Sequence, residues 1–329
     1  MISFMTKFMV LLSVVLALIP NVLWLLGWLV GLCFHCRLPY SPFGWTAAGL
    51  VVLAWAVVAY GIFIGRWQQE TVAVDYSLGE VPEAFEGYRI VHISDLHLGT
   101  FDDKPEGLQR IVDSINALQP DLICFTGDLV SLSVEEAKPY TQMLQGLNAR
   151  DGVVSTLGNH DFFIYSFRDQ PSRREQEVDS LVKYECETLG WHLLRNQHLV
   201  LHRGQDSLTV VGVDNIHGSG QGFSTVDRGD LKKAMQGTGG FRILLSHDPS
   251  HWEAEVLGKA NIALTLSGHT HAAQFRLFGW TPASWMFRQA AGRYDSNGQT
   301  LYVNAGIGCT MPMRINCPSE ITLITLHKK

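Results

Sequence analysis

The chain has 329 residues, of which 47% are hydrophobic and only 17% are charged, a balance that excludes a wholly aqueous enzyme of ordinary composition and suits a protein partly embedded in lipid. A net charge of −6, with no run of Lys or Arg, excludes a general nucleic-acid binder, because phosphate backbones attract dense basic surfaces.

Residues 8–32 carry no charge and are mostly Val, Leu, Ile and Trp. A bilayer crossing needs about 20 apolar residues, so this run predicts a transmembrane helix, kinked near Pro20. It exceeds the roughly 7–15 residues of a signal-peptide core, and no small-residue cleavage site follows. A polar break at 35–42 contains Arg37, and a second uncharged stretch, 43–64, ends before Arg66. Residues 1–67 therefore read as a membrane anchor of two spans, a helical hairpin. Lys7, the α-amino group and Arg66 outweigh Arg37 of the connecting loop, which predicts that the rest of the chain faces the cytoplasm from a bacterial-type inner membrane. Trp24, Trp28, Trp45, Trp55 and Trp67 lie in or beside the spans, suited either to the headgroup level or to the helix interface. Cys33-x-x-Cys36 has no partner pair at zinc-site spacing, and Cys124 sits in an apolar run, so free thiols are expected.

A polar linker, 68–87, leads into a soluble domain, 88–329, in which short β-rich runs alternate with amphipathic stretches. Residues 88–94 predict a strand, and Leu108, Ile111, Val112, Ile115 and Leu118 mark one face of a helix over 105–118. A strand at 121–125, a helix through Met143 and Leu147 and a strand at 152–157 complete a β-α-β-α-β beginning. Later β-like runs at 208–213, 241–245, 262–266, 300–303 and 321–326 leave too little room for helices between several of them. A mixed sheet, or two packed sheets, fits this better than one parallel sheet, and no internal repeat divides the core.

Polar residues fall where the strands end. The first runs into Ser94-Asp95-Leu96-His97, the second into Gly127-Asp128 and the third into Gly158-Asn159-His160-Asp161; two more run into His247 and into Gly268-His269-Thr270-His271. Taken singly each has an ordinary explanation: Gly-Asp is a common turn, Asn caps helices, and a lone His is usually a core or surface residue. Recurring at the ends of successive apolar strands, where ligand sites form, they indicate one metal-competent site. Attack on a phosphate diester needs a strong nucleophile at neutral pH and neutralised non-bridging oxygens, which two divalent ions about 3.5–4 Å apart supply. Holding them requires a shared carboxylate, further anionic ligands and neutral imidazoles; Asp95, Asp128 and four histidines form such a set.

These motifs together resemble the signature of the calcineurin-like metallophosphoesterases, over about residues 89–308. Within that superfamily, the hydrophobic N-terminus, Ser94-Asp95-Leu96-His97-Leu98-Gly99 and Gly268-His269-Thr270-His271 resemble membrane-associated bacterial phosphodiesterases, whose relatives include UDP-2,3-diacylglucosamine pyrophosphatases. The resemblance implies an α/β fold of mixed sheets, a four-layer αββα sandwich, with the metals at strand ends. It implies Asp95, His97, Asp128 and His271 on one metal, and Asp128, Asn159, His247 and His269 on the other, with Asp128 bridging. It leaves His160 free as the general-acid candidate, with Asp161 as its orienting partner. Many relatives continue the last motif with two glycines and a glutamine; here Ala272 and Ala273 precede Gln274. His92, His217 and His251 lie near the motifs and read as structural or surface residues. Asp, Asn and His ligands suit Mn, Fe or Zn.

The resemblance implies hydrolysis of a phosphodiester or pyrophosphate bond by a metal-activated hydroxide. A membrane anchor points to a lipid-linked or nucleotide-activated lipid phosphate, with membrane lipids as partners. A phosphomonoesterase or protein phosphatase and a non-catalytic metal-binding scaffold are the competing readings; His160, which no metal needs, speaks against the scaffold. Residues 275–294, rich in Phe, Trp, Met and Arg, read either as a lid or acyl groove or as a packed excursion.

Overall fold

The computed structural model describes residues 2–77, 81–101, 104–216 and 226–329. The chain forms two units, Met1–Arg66 and Trp67–Lys329.

In the first unit α1 (Ile2–Cys33) and α2 (Ser41–Phe63) pack on each other. Helix α1 continues through Pro20, since a proline removes one backbone bond without necessarily ending a helix. Two stretches, Thr6–Cys33 and Ser41–Trp67, are long and apolar enough to cross a membrane. Many of their large apolar side chains, Leu11, Val14, Leu23 and Leu53 among them, lie uncovered. The polar groups find partners within the pair: Trp55 Nε1 donates to Ser13 Oγ at 2.9 Å and Tyr40 Oη to Asn21 Oδ1 at 2.8 Å. Such pairing is what a hydrocarbon surround demands.

Among the described residues the second unit holds two six-stranded sheets. The strands are β1 (Gln69–Ser77), β2 (Arg89–Ile93), β3 (Leu122–Phe125), β4 (Val153–Ser155), β5 (His192–Leu193), β6 (Gln197–Arg203), β7 (Asp206–Gly212), β8 (Phe241–Leu245), β9 (Leu264–Ser267), β10 (Gly292–Ser296), β11 (Gln299–Val303) and β12 (Ser319–His327). The first sheet runs β1-β12-β2-β3-β4-β5 and the second β10-β11-β9-β8-β7-β6. Strands β2 to β5 are mutually parallel, as are β7, β8, β9 and β11, while β12 meets β2, and β6 and β10 meet their neighbours, antiparallel.

Side-chain alternation sorts the strands into layers. Ile90, Leu122 and Cys124 point inward onto Ile243, Leu245, Leu264 and Leu266 of the second sheet. Val91, Ile93, Ile123 and Phe125 point outward beneath α3 (Pro105–Ala117), α4 (Thr141–Gln145) and α5 (Pro171–Lys183), which contribute Leu108, Ile111, Ile115, Leu144, Val178 and Leu181. On the far side, Val211, Leu244 and Val303 pack against α6 (Leu231–Ala234) and a helical turn carrying Trp252 and Val256. The result is the expected αββα order, with the second helical layer reduced to short pieces among the described residues.

Strand β1 lies inside the segment read as a linker. It pairs in parallel along its whole length with β12, Gln69 opposite Ser319 through Ser77 opposite His327. Its polar residues alternate with Val72, Val74 and Tyr76, which reach the inter-sheet core. An edge strand with one wet face reads as polar because half of its side chains are.

Behind β4 a buried carboxyl faces the strand. Glu185 Oε2 accepts from Ser155 Oγ at 2.6 Å, while Oε1 has no hydrogen-bond partner. Burial, reinforced by the nearby Asp161 carboxylate, pushes the Glu185 carboxyl up to about 8, against 4.5 for an exposed glutamate. The folded state therefore holds a proton that the unfolded state releases between these values, and stability falls as pH rises through that window. Glu185→Gln, neutral at every pH, should gain on the order of 1–3 kcal/mol over wild type at pH 8 and nothing below about pH 4.5. Thermal melts of both proteins across that range check this; a constant difference contradicts it.

Candidate metal centre

The parallel strands of both sheets end on one side, and the polar runs leave from those ends. Asp95 and His97 follow β2, Asp128 follows β3, and Asn159 and His160 follow β4; His247 follows β8, and His269 and His271 follow β9. Backbone conformation is strained where these side chains turn inward. Asp95, His97, Asp128, His269 and His271 all have positive φ, between 41° and 71°. Non-glycine residues adopt this region at a cost and concentrate in it at functional sites. Gly268 is required by close approach, because a Cβ there would fall onto Ser94 Oγ and the Asp95 carboxylate.

Three overlapping donor groups result: Asp95, His97 and His271; His97, Asp128 and His160; and Asp128, His247 and His269, with the ligand atoms of each group within 4.8 Å of one another. His97 Nε2 and His271 Nε2 face each other at 3.1 Å, and His271 Nε2 is 3.2 Å from Asp95 Oδ1. His247 Nε2 is 3.0 Å from Asn159 Oδ1, 3.2 Å from His269 Nδ1 and 3.2 Å from Asp128 Oδ2. The same Asp128 oxygen is 3.6 Å from His97 Nε2, so it lies between the two groups.

The outer atoms set the tautomers. His247 Nδ1 donates to the Thr126 carbonyl at 2.7 Å and His97 Nδ1 bonds Ser131 Oγ at 3.0 Å, which turns each Nε2 inward. Ligand atoms of imidazole, amide and carboxylate thus converge on shared points, an arrangement suited to divalent cations. The donor set, without thiolate, fits such ions.

The sequence profile described as calcineurin-like phosphoesterase matches residues 88–273. The chain belongs to that family. A zebrafish transmembrane protein with metallophosphoesterase domain is 30% identical over 301 residues, covering 88% of this chain and 64% of that protein. The uncharacterized Bacillus subtilis metallophosphoesterase YkuE is 28% identical and covers 86% of this chain and 94% of its own. The UDP-2,3-diacylglucosamine pyrophosphatase LpxG of Chlamydia muridarum is 27% identical, covering 84% and 97%. The family profile ends before β10, so Met286, Phe287 and Thr310, which line the cleft beside the donor groups, lie outside it.

Charge in the phosphoesterase centre is tightly balanced. Burial works to raise the Asp95 and Asp128 carboxyls, but the imidazoles, His271 foremost for Asp95 and His247 for Asp128, outweigh it and hold both below the usual carboxylate range. Burial works to lower His247, and Asp128 overcomes it, raising that imidazole to about 10.

His160 sits at the edge of this group. Its backbone N–H donates to Asp128 Oδ1 at 2.8 Å, its Nδ1 is 3.1 Å from the Ser131 carbonyl, and its ring packs 4.5 Å from Tyr165 and 4.8 Å from His97. Asp161 does not orient it. The Asp161 carboxylate instead accepts from the N–H groups of Asp128 at 2.7 Å, Gly158 at 2.9 Å and Leu129 at 2.9 Å, clamping two ligand loops together. With Val130 N–H at 3.4 Å, four convergent backbone donors are a stronger draw for a buried carboxylate than one imidazole.

Other expectations resolve similarly. His92 is fully buried on β2, bonds Thr126 Oγ1 at 3.0 Å and is pushed down to about 3 by burial, so it belongs to the core. His251 is buried against Ser246 Oγ at 2.8 Å. His217 lies outside the described residues. Ala272 and Ala273, at the two positions where the resemblance implies glycines, have φ of 50° and 49°, and Gln274 follows at 56°, a conformation costing Ala roughly 1–2 kcal/mol per residue. The Gln274 side chain holds this turn: its Oε1 accepts from Thr310 N and Met311 N, and its Nε2 donates to the Met311 and Met313 carbonyls.

Sequence reasoning missed Arg314. It is fully buried and donates to the carbonyls of Ala305, Gly306, Gly308, Cys317 and Pro318. The loop it gathers in turn donates from Ile307 and Gly308 to the carbonyls of Ser94 and Asp95 at 2.9 and 2.8 Å. An isolated arginine far from any motif carries no signal of this. Arg314→Lys, with fewer donors than carbonyls, should cost on the order of 1–3 kcal/mol and weaken Mn binding by loosening the loop behind Asp95. Thermal melts and Mn titration check this; unchanged Mn affinity contradicts it.

Proposed function

We propose that this family member is a membrane-anchored, dinuclear-metal hydrolase of a phosphodiester or pyrophosphate bond, acting on a lipid-linked or nucleotide-activated lipid substrate. The observation that carries the dinuclear reading is the position of Asp128 Oδ2, 3.6 Å from His97 Nε2 and 3.2 Å from His247 Nε2, shared by two donor groups. Asp95, His97, Asp128 and His271 would hold one cation, and Asp128, Asn159, His247 and His269 the other. When bound, two such cations generate a strong nucleophile from water at neutral pH and neutralise charge on the phosphate oxygens. Mn, Fe or Zn suits these ligands.

The chain's own residues handle the remaining work. A cleft of about 200 Å³ above Asp128 and Asn159 is lined by His160, Tyr165, Met286, Phe287 and Thr310. His160, with Nδ1 tied to a carbonyl, can present Nε2–H in its protonated form and pass that proton to a departing oxygen. Tyr165 Oη accepts from Asn159 Nδ2 at 3.1 Å, steadying the amide so that its oxygen faces the donor group. Phe287 packs edge-on against His269 at 5.4 Å and keeps that wall of the cleft dry.

The lipid-linked class is supported by the two apolar helices and by the name of the chlamydial relative, a pyrophosphatase of an acylated nucleotide sugar. The charge count across the spans favours a cytoplasmic domain; a reporter fused after Lys329 that is active only outside the cytoplasm would overturn that orientation.

The test uses full-length protein in detergent, loaded with Mn, on aryl phosphodiesters and a UDP-linked acylated sugar. Asp128→Asn should lose hydrolysis of both. His160→Ala should retain Mn yet lose about 10²–10⁴ in rate on a phenyl diester, and less on a p-nitrophenyl diester, whose leaving oxygen needs a proton less. Equal loss on both esters removes His160 as acid. Turnover of monoesters with neither diester nor acylated sugar hydrolysed favours a phosphomonoesterase.

A further inference from the structure

We propose that residues 277–286 form a lipid-contacting rim, so that the metal cleft opens at a membrane surface. Among the described residues from Trp67 onward, the exposed large hydrophobic side chains are Leu132, Tyr165, Leu277, Phe278, Trp280, Trp285 and Met286. Five of these seven fall within 277–286. Of the other two, Tyr165 lines the cleft together with Met286, and Leu132 lies on the loop after Asp128, next to Ser131, whose carbonyl faces the His160 ring. Exposed apolar surface among the described residues of this unit is therefore concentrated in one segment whose end, Met286, lines the cleft, and apolar patches of this kind mark interaction surfaces.

The rim is built to present these side chains. Leu277 and Trp280 exchange backbone hydrogen bonds of 2.9 and 3.0 Å across a tight turn, in which Phe278 (φ 49°) and Gly279 (φ 84°) occupy the two left-handed positions. Phe278 at the tip is 98% exposed and Trp285 79%. The Trp280 and Trp285 rings meet at 5.2 Å, edge to face. The base is pinned by Arg276, whose guanidinium reaches Glu70 and Glu320 at 3.2 Å and whose N–H donates to the Ile315 carbonyl at 3.1 Å, and by Thr281 Oγ donating to the Ala272 carbonyl. A pinned turn that holds Phe278 in water forgoes the roughly 1.5–3 kcal/mol that burying such a side chain releases, unless a partner covers it.

The occupant that fits is a bilayer. A span long and apolar enough to cross one ends at Trp67, two residues before β1 begins, so chain connectivity keeps a lipid surface within reach of this unit. Trp and Phe at a surface tip suit the headgroup level. The arginines of 275–294 are taken by carboxylates, Arg276 by Glu70 and Glu320, Arg288 by Glu253 and Arg293 by Asp295, so the aromatic tip rather than charge makes the contact. A substrate whose phosphate reaches the metals while its apolar part stays in lipid would then be hydrolysed without leaving the membrane. The inference rests on the membrane-anchored reading above.

The test uses full-length protein, with the exposed Cys33, Cys36 and Cys186 replaced by Ser, in vesicles of phosphatidylcholine and phosphatidylglycerol. A thiol-reactive fluorophore is placed at Phe278→Cys or, as control, at Gln205→Cys, beside the start of β7 and so at the strand ends opposite the metal ligands. The probe at 278 should be quenched by nitroxides on the acyl chains and shielded from aqueous iodide, with the reverse at 205. Trp280→Ser with Trp285→Ser should weaken the lipid quenching while hydrolysis of a soluble aryl diester persists, which separates loss of docking from misfolding. Iodide access at 278 equal to that at 205, or shielding from both quenchers by a second copy or other protein, overturns the proposal. Extraction with alkaline carbonate tests the anchor separately: release from the vesicles overturns that reading whatever the probe reports.

Discussion

Two buried carboxylates, Asp95 and Asp128, stand among imidazoles contributed by two different sheets, and the rest of the unit is arranged around holding them there. Isolated anions cannot be buried at acceptable cost; here His271 beside Asp95 and His247 beside Asp128 offset the desolvation, and Asp128 in turn raises the His247 imidazole. The arrangement requires β2 and β3 of one sheet and β8 and β9 of the other to end at one place. Inter-sheet packing by Ile90, Cys124, Ile243 and Leu266 supplies that alignment.

Around this centre, support comes from residues that touch no substrate. Asp161 clamps the Asp128 and Gly158 loops through their N–H groups, and Arg314 gathers the carbonyls of the loop behind Asp95. One anion among amides and one cation among carbonyls do complementary work: each satisfies several buried backbone groups that an irregular loop leaves without ladder partners. Such loops can then hold ligand residues in left-handed conformations that they would otherwise leave.

Strands carrying the motifs were legible in the sequence because each is a short apolar run ending in ligand residues; 241–245 coincides with β8, and 88–94 differs from β2 by one residue at each end. Strand β1 was not legible, since Gln69, Glu70 and Asp75 on its wet face mask the alternation of Val72, Val74 and Tyr76. Asp161 was assigned to His160 by adjacency in the chain, yet a side chain bonds whatever the fold brings near, and the fold brought four backbone N–H groups.

By itself the sequence determined two apolar helices, the alternating domain, and which residue types stand at the strand ends, because hydrophobic period and ligand chemistry are local properties. Only the tertiary structure decided that Asp128 lies between two donor groups, that Arg314 buttresses Asp95, and that Tyr165 and Met286 line one cleft. Those facts depend on residues as far apart as 128 and 286 lining one cleft, and no local pattern encodes such a meeting.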